Sequence, residues 1–256
     1  MSFVKDPVTP DAYEAVLFDL DGVLTATAKV HAVCWKKMFD AFLRQRAREN
    51  GEPFRPFDIE TDYKTYVDGK LREEGVRSFL ASRGIQLPDG DPGDPADRTT
   101  VWGLGNRKNE AVNQVIASQG VEVYEDSVAW VRRLRSQGIK TGVVSSSKNC
   151  GAVLEAAAIA DLFAVRVDGE VASRLKLPGK PAPDTFLKAA EELGVAPERV
   201  VVVEDAISGV QAGRRGGFGL VIGVDRQGDP EALRKNGADF VVAGLGELLQ
   251  GTIRRP

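Results

Sequence analysis

The chain has 256 residues, 43% hydrophobic and 28% charged, ample for a sizeable buried core in one large domain or two smaller ones. Its 34 Lys and Arg against 37 Asp and Glu leave a net charge of −3, which gives no general attraction to nucleic acid or to acidic membranes. Cys34 and Cys150 make neither a metal pattern nor a disulfide framework, and the N-terminus lacks a basic-then-apolar signal, so a cytoplasmic protein without a membrane span is expected.

In chain order, the first clear element is "AVLFDL" (15–20), an apolar run with little alternation that suits a strand covered on both faces. It carries Asp19, and Asp21 and Gly22 follow at once. Residues 27–119 then read mostly as helix: "AKVHAVCWKKMFDAFLRQRAR", "REEGVRSFLASRG" and "RKNEAVNQVIASQG". A loop rich in Pro, Asp and Gly, "LPDGDPGDPADR" (87–98), interrupts them. "GLGNRK" (103–108) is no dinucleotide fingerprint, because it lacks the third glycine and follows no strand.

The amphipathic stretch "SVAWVRRLRSQG" (127–138) leads into a second strand, "KTGVVSS" (140–146). "APDTFLKAAEELG" (182–194) predicts a helix with Asp184 near its start and Gly194 past its end. Three more strands follow, "RVVVVED" (199–205), "GLVIGV" (219–224) and the weaker "DFVVA" (239–243). The alternation predicts an open, mostly parallel Rossmann-like α/β sheet with helices on both faces. The interval 27–119 is too long for one crossover, so it is expected to be an inserted helical cap, leaving 1–26 and 120–256 as the core.

Ligands of open parallel sheets bind beyond the carboxyl ends of the strands. Asp19 and Asp21 stand there, as do Ser145, Ser146, Ser147, Lys148 and Asn149 after the second strand, and Glu204 and Asp205 after a later one. Lys180, in "GKPAPD", precedes a helix at the same edge. Carboxylates without soft ligands suit Mg²⁺, which keeps positions for water and phosphate. A phosphoryl group needs cations and hydrogen-bond donors, and Lys180, Ser145 and backbone amides after Asp19 offer them. An Asp can attack phosphorus, and a second acid can move the proton.

Four motifs in this order, "DLDGV", the Ser closing "GVVSS", the Lys of "GKPAPD" and the pair "ED", resemble those of the haloacid-dehalogenase superfamily of phosphoryl-transfer enzymes. From about residue 15 to 249 the chain is similar to the β-phosphoglucomutase-like subfamily. The resemblance implies Asp19 as nucleophile and metal ligand, and Asp21 as general acid/base that also lends a backbone carbonyl to the metal. It implies Ser145 and Lys180 around the transferring phosphoryl group, with Glu204 and Asp205 as further metal ligands.

Thr27 and His31, four apart on one helix face, fall where the mutases carry a hinge Thr and His. Arg72 falls where a cap arginine grips the phosphate that is not being transferred, and Ser147, Lys148 and Asn149 would complete that second site. Lys108 and Asn109 match cap residues that face the sugar, and Ser146 is counted with the substrate-binding set. Two departures stand out: Ala26 replaces an acid between Thr25 and Thr27, and "RQRARENGEPFRPF" and the 87–98 loop lengthen the cap. The function expected is conversion of a sugar phosphate by a monomer through a 1,6-bisphosphate that serves as intermediate and activator. The alternatives are a phosphatase of the same superfamily and a non-catalytic module on the same fold.

Overall fold

Strand β1, Ala15–Phe18, lies in the middle of a sheet and is hydrogen-bonded on both sides, to β2 (Lys140–Val144) and β4 (Val200–Glu204). The computed structural model describes residues 7–226 and 228–249, with the backbone alone at Phe3–Val4 and Ile253–Arg254. Adding β3 (Val165–Val167), β5 (Leu220–Val224) and β6 (Phe240–Val242) gives the order β3-β2-β1-β4-β5-β6, parallel throughout. The reversal of strand order at β1 opens a crevice at the carboxyl edge, where such folds bind their ligands.

Alternate residues of β1 meet opposite layers, as the period of two requires. Ala15 and Leu17 join a buried cluster with Phe186, Ala189, Ala190 and Leu193 of helix α7 (Asp184–Leu193). On the other face Phe18 meets Trp130 of helix α4 (Glu125–Ser136) edge-on at 5.6 Å. Both faces are therefore covered, which is why the strands read as continuous apolar runs rather than alternating ones. Strand β3 has no such run in the sequence. It is three residues long at the sheet edge, and Arg166 in its middle is exposed.

The chain divides into two compact units, residues 1–26 with 121–256, and residues 27–120. Gly120 thus falls with the helices, not with the sheet: its N–H donates to Ile116 O and caps helix α3 (Val101–Gln119). The helical unit holds α1 (Thr27–Asn50), a π-helical stretch (Ile59–Val67), α2 (Arg72–Ser82) and α3. Its core is aromatic: Phe39 contacts Trp35, Phe57 and Phe79 at 5.3, 5.1 and 4.3 Å between ring centres. Phe57, at the end of the lengthened segment, is fully buried there.

Helix α3 starts six residues before the helical pattern suggests. Thr100 caps it by accepting from Gly103 N, so "GLGNRK" lies inside the helix. The 87–98 loop is built around buried Asp94, which accepts from Thr100 Oγ1 at 2.6 Å and from Arg98 at 2.8 Å. No helix among the described residues is long and apolar enough to cross a membrane.

The sheet unit sends the chain out at Ala26 and takes it back at Val121. Beside these points the two segments pair: Thr25 and Val123 form an antiparallel bridge, Ala26 N donates to Glu122 O, and Tyr124 N donates to Leu24 O.

Candidate active site

Asp19 continues β1 by one more ladder bond, its N–H donating to Val203 O at 2.9 Å. Gly22 then turns the chain at φ +93°, a conformation that strains any side chain. Its missing Cβ is also required for space, since that atom would lie 1.8 Å from Asp205 Oδ2. The sequence signal "DLDG" thus has a double physical reason for its glycine.

Lys180 is 1% exposed, and its ammonium stands among three oxygens. Its Nζ lies 2.5 Å from Asp19 Oδ1, 2.5 Å from Glu204 Oε1 and 3.1 Å from Val144 O. Phe186 of α7 presents its ring 5.0 Å from the same ammonium. The two carboxylates hold the Lys180 pKa above its ordinary value, against the opposing pull of burial. Asp19 is pushed well above the usual carboxylate range, first by desolvation; Lys180 opposes that shift, and Glu204 and Asp21 add to it.

Glu204 ends β4 fully buried, with Oε2 accepting from the amides of Asp205 and Ala206 at 3.1 and 3.2 Å. Gly209, in α8 (Ile207–Arg215), makes room for it, because a Cβ there would stand 1.9 Å from the Glu204 carboxyl carbon. Carboxylate oxygens of Asp19, Glu204 and Asp205 all lie within 4.8 Å of one another. The carboxylate of Asp21 is not in that group; it faces Ser145, whose Oγ is 3.5 Å from its Oδ2, at the outer limit of a hydrogen bond.

Ser145 extends β2 through its own ladder bond to Val167 O. Its Oγ accepts from Ser147 N at 3.1 Å, and Ser147 Oγ accepts from Asn149 N at 3.2 Å. These hydroxyl turns shape the loop that carries Ser146, Ser147, Lys148 and Asn149, all half-buried. Gly169 packs under the loop, where a Cβ would lie 2.7 Å from Ser146 O. The sheet unit therefore gathers Asp19, Asp21, Ser145, Lys180, Glu204 and Asp205 at one edge, although they are scattered over 187 positions of sequence from Asp19 to Asp205 inclusive.

The helical unit makes a second gathering of its own. Lys108 is buried on α3, and its Nζ lies 2.9 Å from His31 Nδ1 on α1 and 5.0 Å from the Trp35 ring. An ammonium only donates, so His31 Nδ1 is the acceptor in this pair. Arg72 begins α2, and its stem lies against Gly105, where a Cβ would be 3.2 Å from Arg72 Cγ. Gly105 and Lys108 are three apart on α3, hence on one face. Burial lowers the Arg72 pKa from its ordinary value, yet a guanidinium stays charged. Thr27 is buried at the start of α1, and Asn109 is half-buried beside Lys108.

Sequence reasoning missed Gly209, whose signal was the "AISG" that follows the acidic pair, and Arg226, which carries no motif. Arg226 contacts the Asp21 turn, with Nε 2.8 Å from Gly22 O.

The sequence profile of the haloacid dehalogenase-like hydrolases matches residues 13–217. The chain is 50% identical over 243 residues to a β-phosphoglucomutase of Mycobacterium bovis, covering 94% of this chain and 93% of that one. It is 33% identical over 239 residues to the β-phosphoglucomutase of Bacillus subtilis, covering 92% of this chain and 91% of that one. The crystal structure of a β-phosphoglucomutase from Clostridium difficile superposes with a TM-score of 0.72 at 26% identity, covering 92% of this chain and 93% of that one.

Proposed function

The chain belongs to the haloacid dehalogenase-like hydrolase family, and from that premise we propose that it is a β-phosphoglucomutase. It would convert β-glucose 1-phosphate to glucose 6-phosphate through an aspartyl-phosphate on Asp19 and a 1,6-bisphosphate. The observation that carries phosphoryl transfer is the buried convergence of Lys180, Asp19 and Glu204, with Asp205 beside them. The similarity at 50% identity over nearly the whole chain supports the mutase within that chemistry.

Asp19, Glu204 and Asp205, with the main-chain carbonyl of Asp21, are the residues that would hold Mg²⁺. They fit it: every donor is oxygen, and three clustered carboxylates, two of them paired with the one Lys180 ammonium, leave a surplus of negative charge that a divalent cation offsets. When bound, the ion withdraws charge from the phosphoryl oxygens.

In the first half-reaction an Asp19 oxygen bonds to phosphorus as the P–O bond to the donor breaks, and Asp21 protonates the departing oxygen. Lys180 and Ser145 hold the phosphoryl oxygens throughout. In the second half-reaction the free 6-hydroxyl of β-glucose 1-phosphate attacks that phosphorus, gives its proton to Asp21, and restores the Asp19 carboxylate; the bisphosphate so formed turns round and returns its 1-phosphate to Asp19, releasing glucose 6-phosphate. Asp21, set toward Ser145 and outside the carboxylate group, is suited to that separate role.

A mutase must also hold the phosphate that is not moving. Arg72, Ser147, Lys148 and Asn149 are proposed for that phosphate, Thr27, His31, Lys108 and Asn109 for the sugar and the gating of Asp21, and Ser146 as a further substrate contact. A phosphatase with water as acceptor would use the same first step, and the family profile is named for hydrolases. The test is a bisphosphate-primed assay of β-glucose 1-phosphate with Mg²⁺, reading glucose 6-phosphate against inorganic phosphate. Glucose 6-phosphate as the main product is expected; free phosphate as the main product would establish the phosphatase instead.

A further inference from the structure

Arg226 lies two residues past β5, at the same carboxyl edge of the sheet as Asp19, Ser145 and Glu204. Its guanidinium makes three contacts of different kinds. Nε donates to Gly22 O at 2.8 Å, Nη1 donates to Ala243 O at 3.1 Å, and the guanidinium carbon stands 3.7 Å from the centre of the Tyr124 ring. Nη2 is buried without a partner among the described residues. An arginine with a free choice would turn that donor to water, so its present pose is set by the other contacts.

Those contacts touch both passages between the two units. Gly22 is the residue after Asp21, on the outgoing segment; its N–H already donates to Thr25 O at 2.7 Å, and Asp205 fills its side-chain space. Tyr124 is on the returning segment, and its N–H donates to Leu24 O. One side chain thus grips the turn that carries Asp21 by its edge and the returning segment by its face. A lysine could reach one carbonyl, but it has no planar face to stack while its edge donates.

We propose that Arg226 is a positioning residue that holds Asp21 in register for proton transfer, acting through the Gly22 carbonyl and anchored by Tyr124. The proposal rests on the reading of Asp19 as nucleophile and Asp21 as acid/base. It makes the two half-reactions unequally sensitive to the loss of Arg226. With an aryl phosphate, Asp19 bonds to phosphorus as the P–O bond to the aryl group breaks, and the aryloxide leaves with little need of a proton. In the return step the acceptor hydroxyl must surrender its proton to Asp21 as it attacks phosphorus and the bond to Asp19 breaks. A misaligned Asp21 slows the return step alone.

The experiment is rapid-quench measurement of phosphoenzyme formation and breakdown, with p-nitrophenyl phosphate and Mg²⁺, in wild type, Arg226→Lys and Arg226→Met, alongside thermal melts. Formation is expected within about twofold of wild type, while phosphoryl transfer from Asp19 to added β-glucose 1-phosphate slows about 10- to 100-fold, the scale of an ångström of misplacement. Phosphoenzyme then accumulates in both variants, and the lysine variant recovers little. Loss of formation, alone or in step with breakdown, overturns the proposal, as does no change in either. A wild-type chain that never forms phosphoenzyme would instead refute the reading of Asp19, before any variant is compared.

Discussion

Replacing Lys180 with methionine keeps the stem and removes the ammonium that faces Asp19, Glu204 and Val144 O. Deleting one partner of a buried ion pair costs about 3–5 kcal/mol, because the abandoned charges stay buried. At about 2–4 °C per kcal/mol for a chain of this size, the melting temperature without metal should fall by roughly 6–20 °C. The loss should depend on pH in a definite sense. Asp19 already sits well above the usual carboxylate range, and Lys180 is the influence that lowers it, so the variant raises it further. A carboxyl with a folded-state pKa above its unfolded value favours the folded state on protonation, so the deficit is largest at neutral pH and shrinks as pH falls through the raised pKa. Calorimetry in EDTA between pH 5 and 8 reads this directly. Adding Mg²⁺ should restore part of the lost stability, while phosphoryl transfer falls about 10²- to 10³-fold for want of the fixed cation. A shift under 2 °C in EDTA at neutral pH, or a deficit that grows on acidification, would refute the reasoning; ~2 °C is at most one kcal/mol on the same scale.

Gly209→Ala places a methyl 1.9 Å from the Glu204 carboxyl carbon, so Glu204 must leave its backbone amides. The Mg²⁺ concentration for half activation should rise about 10- to 100-fold, read from a metal titration of turnover. Asp19→Asn removes turnover and, by taking one charge from the crowded carboxylates, should raise the melting temperature of the metal-free protein above pH 5, whereas a lower temperature would count against the charge surplus. Arg72→Ala should cut mutase turnover about tenfold or more, the worth of a charge-assisted hydrogen bond, and leave aryl phosphate hydrolysis within about threefold. Equal losses in the two assays would detach Arg72 from a second phosphate.

The strands buried on both faces were legible because burial on two sides leaves an unbroken apolar run, as in Val200–Val203. Val165–Val167 was not, since three residues with an exposed arginine at a sheet edge carry no such run. The start of α3 was hidden by Gly103 and Gly105, which look like loop residues but serve close approach. A Cβ at Gly103 would lie 2.2 Å from Arg98 O, and one at Gly105 would press on Arg72. Site residues at strand ends were legible because the sheet fixes where strand ends go. The His31–Lys108 pair joins positions 77 apart in a bundle whose helix order no local pattern encodes, and the grip of Arg226 on Gly22 spans 204 positions.

The paired segments at Thr25 and Val123 have an evolutionary consequence. The sheet unit parts with its chain and recovers it at points one hydrogen bond apart, Ala26 N to Glu122 O at 2.9 Å. What is enclosed between them can be exchanged without redrawing the parallel ladder, since a tight turn such as Asn-Gly would close the same hairpin. On the proposed roles of Asp19 and of the helical unit's Thr27, His31, Lys108 and Asn109, the chemistry at phosphorus and the choice of sugar are then separately heritable. A helical unit from a relative with another substrate could be transplanted at the two peptide bonds that follow Ala26 and Gly120.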